Sequence, residues 1–177
     1  IEDLGILRSI PNLTIISPAD SGETVKSVLA SLKNKNSVYI RLTGGANNDQ
    51  IYKEDYDFEI GKSITLQEGR DIAIFATGTM VKVALDCSNI LKKKDILAEV
   101  INMHTIKPID VEKINKCANK FKMIASIEEH NIVGGLGSAI AERLSIIKNS
   151  PEQVFFGIND TYSDGGEYNF LKEKFNL

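Results

Sequence analysis

Ile127-Glu128-Glu129-His130-Asn131-Ile132-Val133-Gly134-Gly135-Leu136-Gly137-Ser138-Ala139-Ile140-Ala141-Glu142 is the stretch that decides the fold. The apolar run 123–127 ends in two acids and a histidine. A glycine-rich turn follows, and apolar residues then recur with helical period. This pattern reads as the C-terminal edge of a parallel strand, a tight loop and a helix N-terminus. In open α/β sheets such edges are where ligands and partners meet the protein.

Working outward, the strand covers 122–128, and the helix after it covers 137–147 with Leu136, Ile140, Leu144 and Ile147 on one side. Residues 71–76, 98–103 and 153–158 read as further strands, and 63–67 as a short one. Gly78-Thr79 turns into a helix with Val81, Ala84, Leu85, Ser88 and Leu91 on one face. Asp110 is a natural N-cap for the helix after Pro108-Ile109, and 169–175 is a short closing helix. Strands alternating with helices at these spacings predict an α/β fold of three layers, α/β/α, around a mostly parallel sheet.

The front of the chain repeats the logic. A short helix with Leu4, Leu7 and Ile10 ends at Pro11, and 12–17 is a strand. Asp20 with Glu23 resembles a capping box, with Val25, Val28, Leu29 and Leu32 following at helical spacing. Residues 37–42 are the next strand, completing a right-handed parallel β-α-β unit. The chain starts at Ile1 rather than a methionine and opens without a lead-in, so we expect it to begin inside a domain whose front is missing. Residues 43–59, with Gly44-Gly45, several acids and three tyrosine or phenylalanine residues, hold no period. They read as a linker whose aromatics lie against a surface.

Composition excludes several classes of function. The 177 residues are 42% hydrophobic and 25% charged, the profile of an ordinary globular protein. A net charge of −3 gives no global electrostatic case for nucleic acid or an anionic membrane as partner. No apolar run approaches a membrane span, and no basic-then-apolar start marks a signal peptide. Cys87 and Cys117 lack metal-ligand spacing and read as reduced thiols, which fits the cytoplasm.

Four groups of residues could carry chemistry. The Gly134-Gly135-Leu136-Gly137 loop could aim backbone N–H groups at an anion, or could simply permit a tight turn and close helix-to-sheet contact. Its spacing is not that of a dinucleotide fingerprint. Glu128, Glu129 and His130 resemble an acid–base set, but consecutive side chains on a strand point in different directions. A hydrogen-bonded interface cluster is the competing reading. His104, just past a strand, suits either catalysis or a loop hydrogen bond, and two histidines cannot build a metal site from imidazoles alone. Arg41 lies at the end of the apolar strand 38–42. A buried guanidinium there needs a partner: either a phosphate or carboxylate ligand, or an internal ion pair.

Several stretches share one resemblance. Residues 2–13 with Pro18-Ala19-Asp20, the run Tyr39-Ile40-Arg41, residues 76–80, residues 100–110 and Glu128-Glu129-His130 through Ala139 resemble the corresponding segments of transketolases. Gly157-Ile158-Asn159-Asp160-Thr161 with Ser163-Asp164-Gly165-Gly166-Glu167 resembles their closing segment. The likeness runs along nearly the whole chain and is greatest to the C-terminal subunit of split transketolases.

The resemblance implies that residues 1–45 end a pyrimidine-binding domain, 46–60 are a linker and 61–177 form the C-terminal domain. It implies thiamine diphosphate and Mg2+ in the complete enzyme, none of it bound by this fragment alone, which would be inactive. The diphosphate motif is not in the chain, and Ser163-Asp164-Gly165-Gly166 is not that motif. The reaction implied is transfer of a two-carbon ketol unit from a ketose phosphate to an aldose phosphate. The partner would be an N-terminal half or subunit, in a homodimer or heterotetramer. Only Arg41 maps onto a family substrate contact, for the sugar phosphate; no catalytic, cofactor or metal residue is expected. The rivals are 1-deoxy-D-xylulose-5-phosphate synthase and a subunit-docking domain like that of 2-oxo-acid dehydrogenase β subunits.

Overall fold

The computed structural model describes residues 1–43, 49–163 and 165–177. Within these the chain runs α1 (Asp3–Arg8), β1 (Thr14–Ile16), α2 (Ser21–Ser31), β2 (Val38–Ile40), β3 (Ile64–Gln67), β4 (Ile72–Ala76) and α3 (Met80–Lys92). It continues through β5 (Ala98–Asn102), β6 (Thr105–Lys107), α4 (Val111–Lys120), β7 (Met123–Asn131), α5 (Leu136–Leu144), β8 (Glu152–Ile158) and α6 (Tyr168–Phe175). Gly44, Gly45 and Asp164, used in the sequence reading, lie outside the described residues.

Five strands form one sheet in the order β3-β5-β4-β7-β8. The pairs β4–β5, β4–β7 and β7–β8 are parallel, and β3 joins β5 antiparallel at one edge. Strand alternation sorts side chains to two cores. Ala73 and Phe75 meet Ile114, Leu136 and Ile140 on one face. Ile74 and Ala76 meet Met80, Val81 and Ala84 on the other. Helices α4 and α5 therefore cover one face and α3 the other, giving the three layers expected. Each of the larger side chains among them (Val, Leu, Ile, Phe or Met) contributes roughly 1.5–3 kcal/mol when fully buried rather than exposed.

Helix α4 starts where the sequence places it. Asp110 accepts the Lys113 N–H at 3.0 Å, and its second oxygen accepts the Ser63 N–H and hydroxyl at 2.8 and 2.9 Å. Cys87 and Cys117 are free thiols, and burial pushes Cys117 up to about 12. No helix among the described residues is long and apolar enough to cross a membrane.

A second sheet has the order β2-β1-β6. Strands β1 and β2 are parallel, as the β-α-β reading requires. The third strand differs from expectation: residues 105–107, read as loop, pair antiparallel with β1. The chain leaves the large sheet at Asn102, turns at His104, whose carbonyl accepts the Ser17 N–H at 2.8 Å, and crosses to the smaller sheet. The Lys107 ammonium donates to the Arg8 carbonyl at 2.7 Å and to the Ile10 carbonyl, closing the C-terminus of α1.

Helix α2 forms where expected but faces the other way. Glu23 and Ser27 are buried, while Val25, Val28, Leu29 and Leu32 are exposed. Asp20 caps the helix by accepting the Glu23 N–H at 2.7 Å. The Glu23 carboxylate does not return to Asp20, as a full capping box would; it accepts the Ala19 N–H at 2.6 Å. These polar contacts turn the charged side of α2 inward. The aromatics of residues 49–59 lie against a surface. Tyr52 stacks on Tyr56 with centroids 3.8 Å apart, and both hydroxyls donate to Glu23 at 3.2 Å.

Candidate functional site

Strand β7 runs three residues past its expected end, to Asn131. Its pairing with β8 loses register between Ile127, opposite Phe156, and Asn131, opposite Ile158. Four steps along β7 match two along β8, so the strand bulges through Glu128, Glu129 and His130. Gly157 lies beneath the bulge, where a Cβ would come 2.9 Å from the His130 carbonyl.

The three side chains take separate directions. Glu128 turns toward α5 and accepts the N–H groups of Leu136 at 2.6 Å and Gly137 at 2.8 Å. The anion at the glycine loop is thus the protein's own carboxylate, and a Cβ at Gly135 would overlap it. Burial pushes Glu128 up to about 7, against the pull of those two N–H groups and of Arg8 and Arg41. Arg8 braces the loop from outside, donating to the Gly134 carbonyl at 2.7 Å and pairing with Glu142 at 2.6 Å.

Glu129 points to the other face. It accepts the hydroxyls of Thr79 and Tyr168, each at 2.7 Å, and so ties α6 to the start of α3. His130 is fully buried and turns toward α1. Its Nε2 accepts the Gly5 N–H at 3.3 Å, and its Nδ1 faces the Asn131 carbonyl at 2.6 Å. Those partners fit the neutral imidazole with its proton on Nδ1. Burial lowers its pKa from the ordinary imidazole value. The trio is a hydrogen-bonded cluster at a junction, with every member committed to a structural bond.

Arg41 stands one residue beyond β2, at the same junction. Its backbone N–H is held by the Ile16 carbonyl at 2.8 Å. Its Nε donates to Asp3 Oδ2 at 2.9 Å, and the Tyr39 hydroxyl donates to the same oxygen at 3.1 Å. The internal ion pair weighed from sequence therefore exists. Yet it uses only Nε; Nη1 and Nη2 make no hydrogen bond to the described residues. The Arg41 side chain is 18% exposed, and its two unpartnered nitrogens keep access to solvent. Burial raises Asp3, but the Arg41 guanidinium and Tyr39 hydroxyl outweigh it and hold the carboxyl below its ordinary range.

His104 is buried elsewhere, under the linker. Its ring stacks on Phe58 with centroids 4.2 Å apart, and Nδ1 meets the Thr105 hydroxyl at 2.9 Å. Burial pulls it down to about 4. Nearby, the Asn102 amide donates to Glu23 at 2.9 Å and to the Tyr52 hydroxyl at 2.6 Å. Among the described residues, Asn102 Oδ1 and His104 Nε2 are buried without a partner.

The structure brings Arg41, Glu128 and His130 to one junction and leaves His104 apart. Among the described residues no group of three or more His, Cys, Asp or Glu could hold a metal ion. Glu128 occupies the Leu136 and Gly137 N–H groups, so this loop does not offer them to a diphosphate. Asp3 and Tyr39 were missed in the sequence. Tyr39 was findable, because residues two apart on a strand share a face. Asp3 carried no local signal.

Comparison with known proteins places this geometry. Residues 61–166 match the family model described as transketolase, C-terminal domain. The chain is 37% identical over 178 residues to a putative transketolase C-terminal section from Methanocaldococcus jannaschii, covering 99% of this chain and 55% of that protein. It is 35% identical over 175 residues to a 1-deoxy-D-xylulose-5-phosphate synthase from Caldanaerobacter subterraneus subsp. tengcongensis, covering 99% of this chain and 28% of that one. A split-gene transketolase, solved as an inactive β4 tetramer, superposes with a TM-score of 0.92 at 36% identity, covering 100% of this chain and 56% of that chain. The chain spans about half the length of the transketolase section it matches.

Proposed function

The chain belongs to the transketolase family, and from that premise we propose that it is the C-terminal section of a thiamine-diphosphate-dependent transketolase. The complete enzyme moves a two-carbon ketol unit from a ketose phosphate to an aldose phosphate. Residues 1–45 are the end of the pyrimidine-binding domain, 46–60 the linker and 61–177 the C-terminal domain. The partner is an N-terminal half or subunit, in a homodimer or heterotetramer. The chain alone is inactive, a reading supported by the inactive β4 assembly of the protein it superposes on. Two unpaired thiols support a cytoplasmic location.

The observation that carries this reading is Arg41. Its Nε is fixed by Asp3 and its two terminal nitrogens remain as a donor fork at the end of β2. A planar fork of this kind matches a phosphate bidentately. In the complete enzyme Arg41 holds the sugar phosphate and so orients the carbonyl carbon at the other end of the substrate. Thiamine diphosphate with Mg2+, held by the rest of the enzyme, supplies the carbanion chemistry. The described residues contribute binding and orientation.

The reading is tested with this chain combined with its cofactor-binding part. Turnover of xylulose 5-phosphate with ribose 5-phosphate, and none of pyruvate with glyceraldehyde 3-phosphate, is the expected result. The reverse pattern would favour 1-deoxy-D-xylulose-5-phosphate synthase, a second reading supported by the 35% identical relative. Turnover of neither would favour a docking module.

A further inference from the structure

We propose that Asp3 is a positioning residue for substrate phosphate, acting by holding the Arg41 guanidinium through Nε so that Nη1 and Nη2 stay directed at the ligand. The inference rests on the reading of Arg41 given above. A free arginine samples many rotamers, and a ligand must pay to order it. Here that cost is met before the ligand arrives. Asp3 Oδ2 receives the Nε–H at 2.9 Å, and the Tyr39 hydroxyl fixes the same oxygen at 3.1 Å.

The carboxylate is itself held firmly. Asp3 opens α1, whose next two residues are anchored: Leu4 is fully buried, and the Gly5 N–H bonds to His130. The Asn131 N–H bonds back to the Ile1 carbonyl at 3.0 Å. The bulged end of β7 thus fixes α1, α1 fixes Asp3, and Asp3 fixes Arg41. A carboxylate aimed at charge neutralisation alone would take the Nη fork bidentately, the stronger geometry. Contact at Nε leaves that fork intact, which is the arrangement expected of a residue that aims the guanidinium rather than consuming it.

The test uses the complete enzyme with ribose 5-phosphate and unphosphorylated ribose as acceptors. Asp3→Ala is expected to raise KM for ribose 5-phosphate about tenfold, the scale of losing one charge-assisted hydrogen bond. kcat/KM for ribose should change little. Asp3→Asn, which keeps an acceptor oxygen and loses the charge, should restore most of the affinity. Asp3→Ala combined with Arg41→Ala should be no worse than Arg41→Ala alone. Equal losses on both acceptors, or losses that add to those of Arg41→Ala, would overturn the inference. If Asp3→Ala does not fold, Tyr39→Phe carries the test: a selective two- to threefold rise for ribose 5-phosphate, smaller than for Asp3→Ala because Tyr39 acts through Asp3, supports it, and no selectivity overturns it. Arg41→Ala separates the two levels. Should it leave the preference for phosphorylated acceptor unchanged, the reading of Arg41 itself fails. Should it abolish that preference while the Asp3 variants do not, only the role of Asp3 fails.

Discussion

Gly134 faces Gly5 so closely that a Cβ at position 134 would lie 2.8 Å from the Gly5 Cα. Gly134 also has φ of +86°, a conformation that L side chains rarely adopt. Contact and conformation together explain the glycine where the loop after β7 meets α1. Gly134→Ala should destabilise the chain by about 1–3 kcal/mol. Gly165→Ala, with nothing within 4 Å of its Cβ, should stay within about 0.5 kcal/mol of the parent. Urea denaturation of the two variants makes the comparison.

The Asp110 carboxylate joins three donors at the start of α4: Lys113 N–H, Ser63 N–H and the Ser63 hydroxyl. Asp110→Ala removes a cap and leaves two half-buried amides without their acceptor, and should cost about 2 kcal/mol. Ser63→Ala loses one hydroxyl bond and should cost about 1 kcal/mol or less. Equal losses would mean that the cap on α4 contributes nothing.

His104 gives the chain a pH dependence of definite sign. Burial pulls its pKa from 6.5 to about 4 in the folded state. Between these values the unfolded chain binds a proton that the folded chain refuses. The contribution is fully present above 6.5 and is lost as pH falls toward 4, on the order of 3 kcal/mol in all. His104→Gln lacks this loss. Its deficit relative to the parent should narrow between pH 7.5 and pH 4.5, as read by chemical denaturation at both.

Glu128 acts with the opposite sign. Its folded pKa is raised from 4.5 to about 7, so its contribution is complete below 4.5 and is lost as pH rises through 7. Glu128→Gln forfeits one acceptor at the start of α5 and should cost about 1–2 kcal/mol at pH 4.5. Because the variant has no charge to bury, its deficit should shrink by pH 8. A deficit that grows with pH would show that the two N–H groups outweigh burial.

Much of the architecture was legible because it is local. Caps at Asp20 and Asp110, the short apolar-rich runs of β4 and β5 and the stripe on α5 each announce themselves within a few residues. What was not legible is non-local. The outward apolar face of α2 has helical spacing whichever way it points; the contacts of buried Glu23, among them Tyr52 and Tyr56 and Asn102, 79 positions away, go with the direction taken. The extension of β7 through two acids and a histidine defies β propensity, and a bulge with three separate partners permits it. At the candidate site Arg41 was visible as a cation out of place in an apolar strand. Asp3, lying 38 positions away on another element, was not.

Strand β6 has a consequence for anyone who would cut this molecule. Thr105–Lys107 follows the whole of β3, β4 and β5 in sequence yet serves as the outer strand of the sheet built by β1 and β2. Expressing residues 61–177 alone would leave that segment with bare main-chain donors and acceptors, an invitation to pair with a stranger. Nicking the chain within 49–60 should, by contrast, leave the two pieces clasped, because the β1–β6 ladder survives the cut. The boundary drawn along the sequence and the seam along which the protein would come apart are different lines.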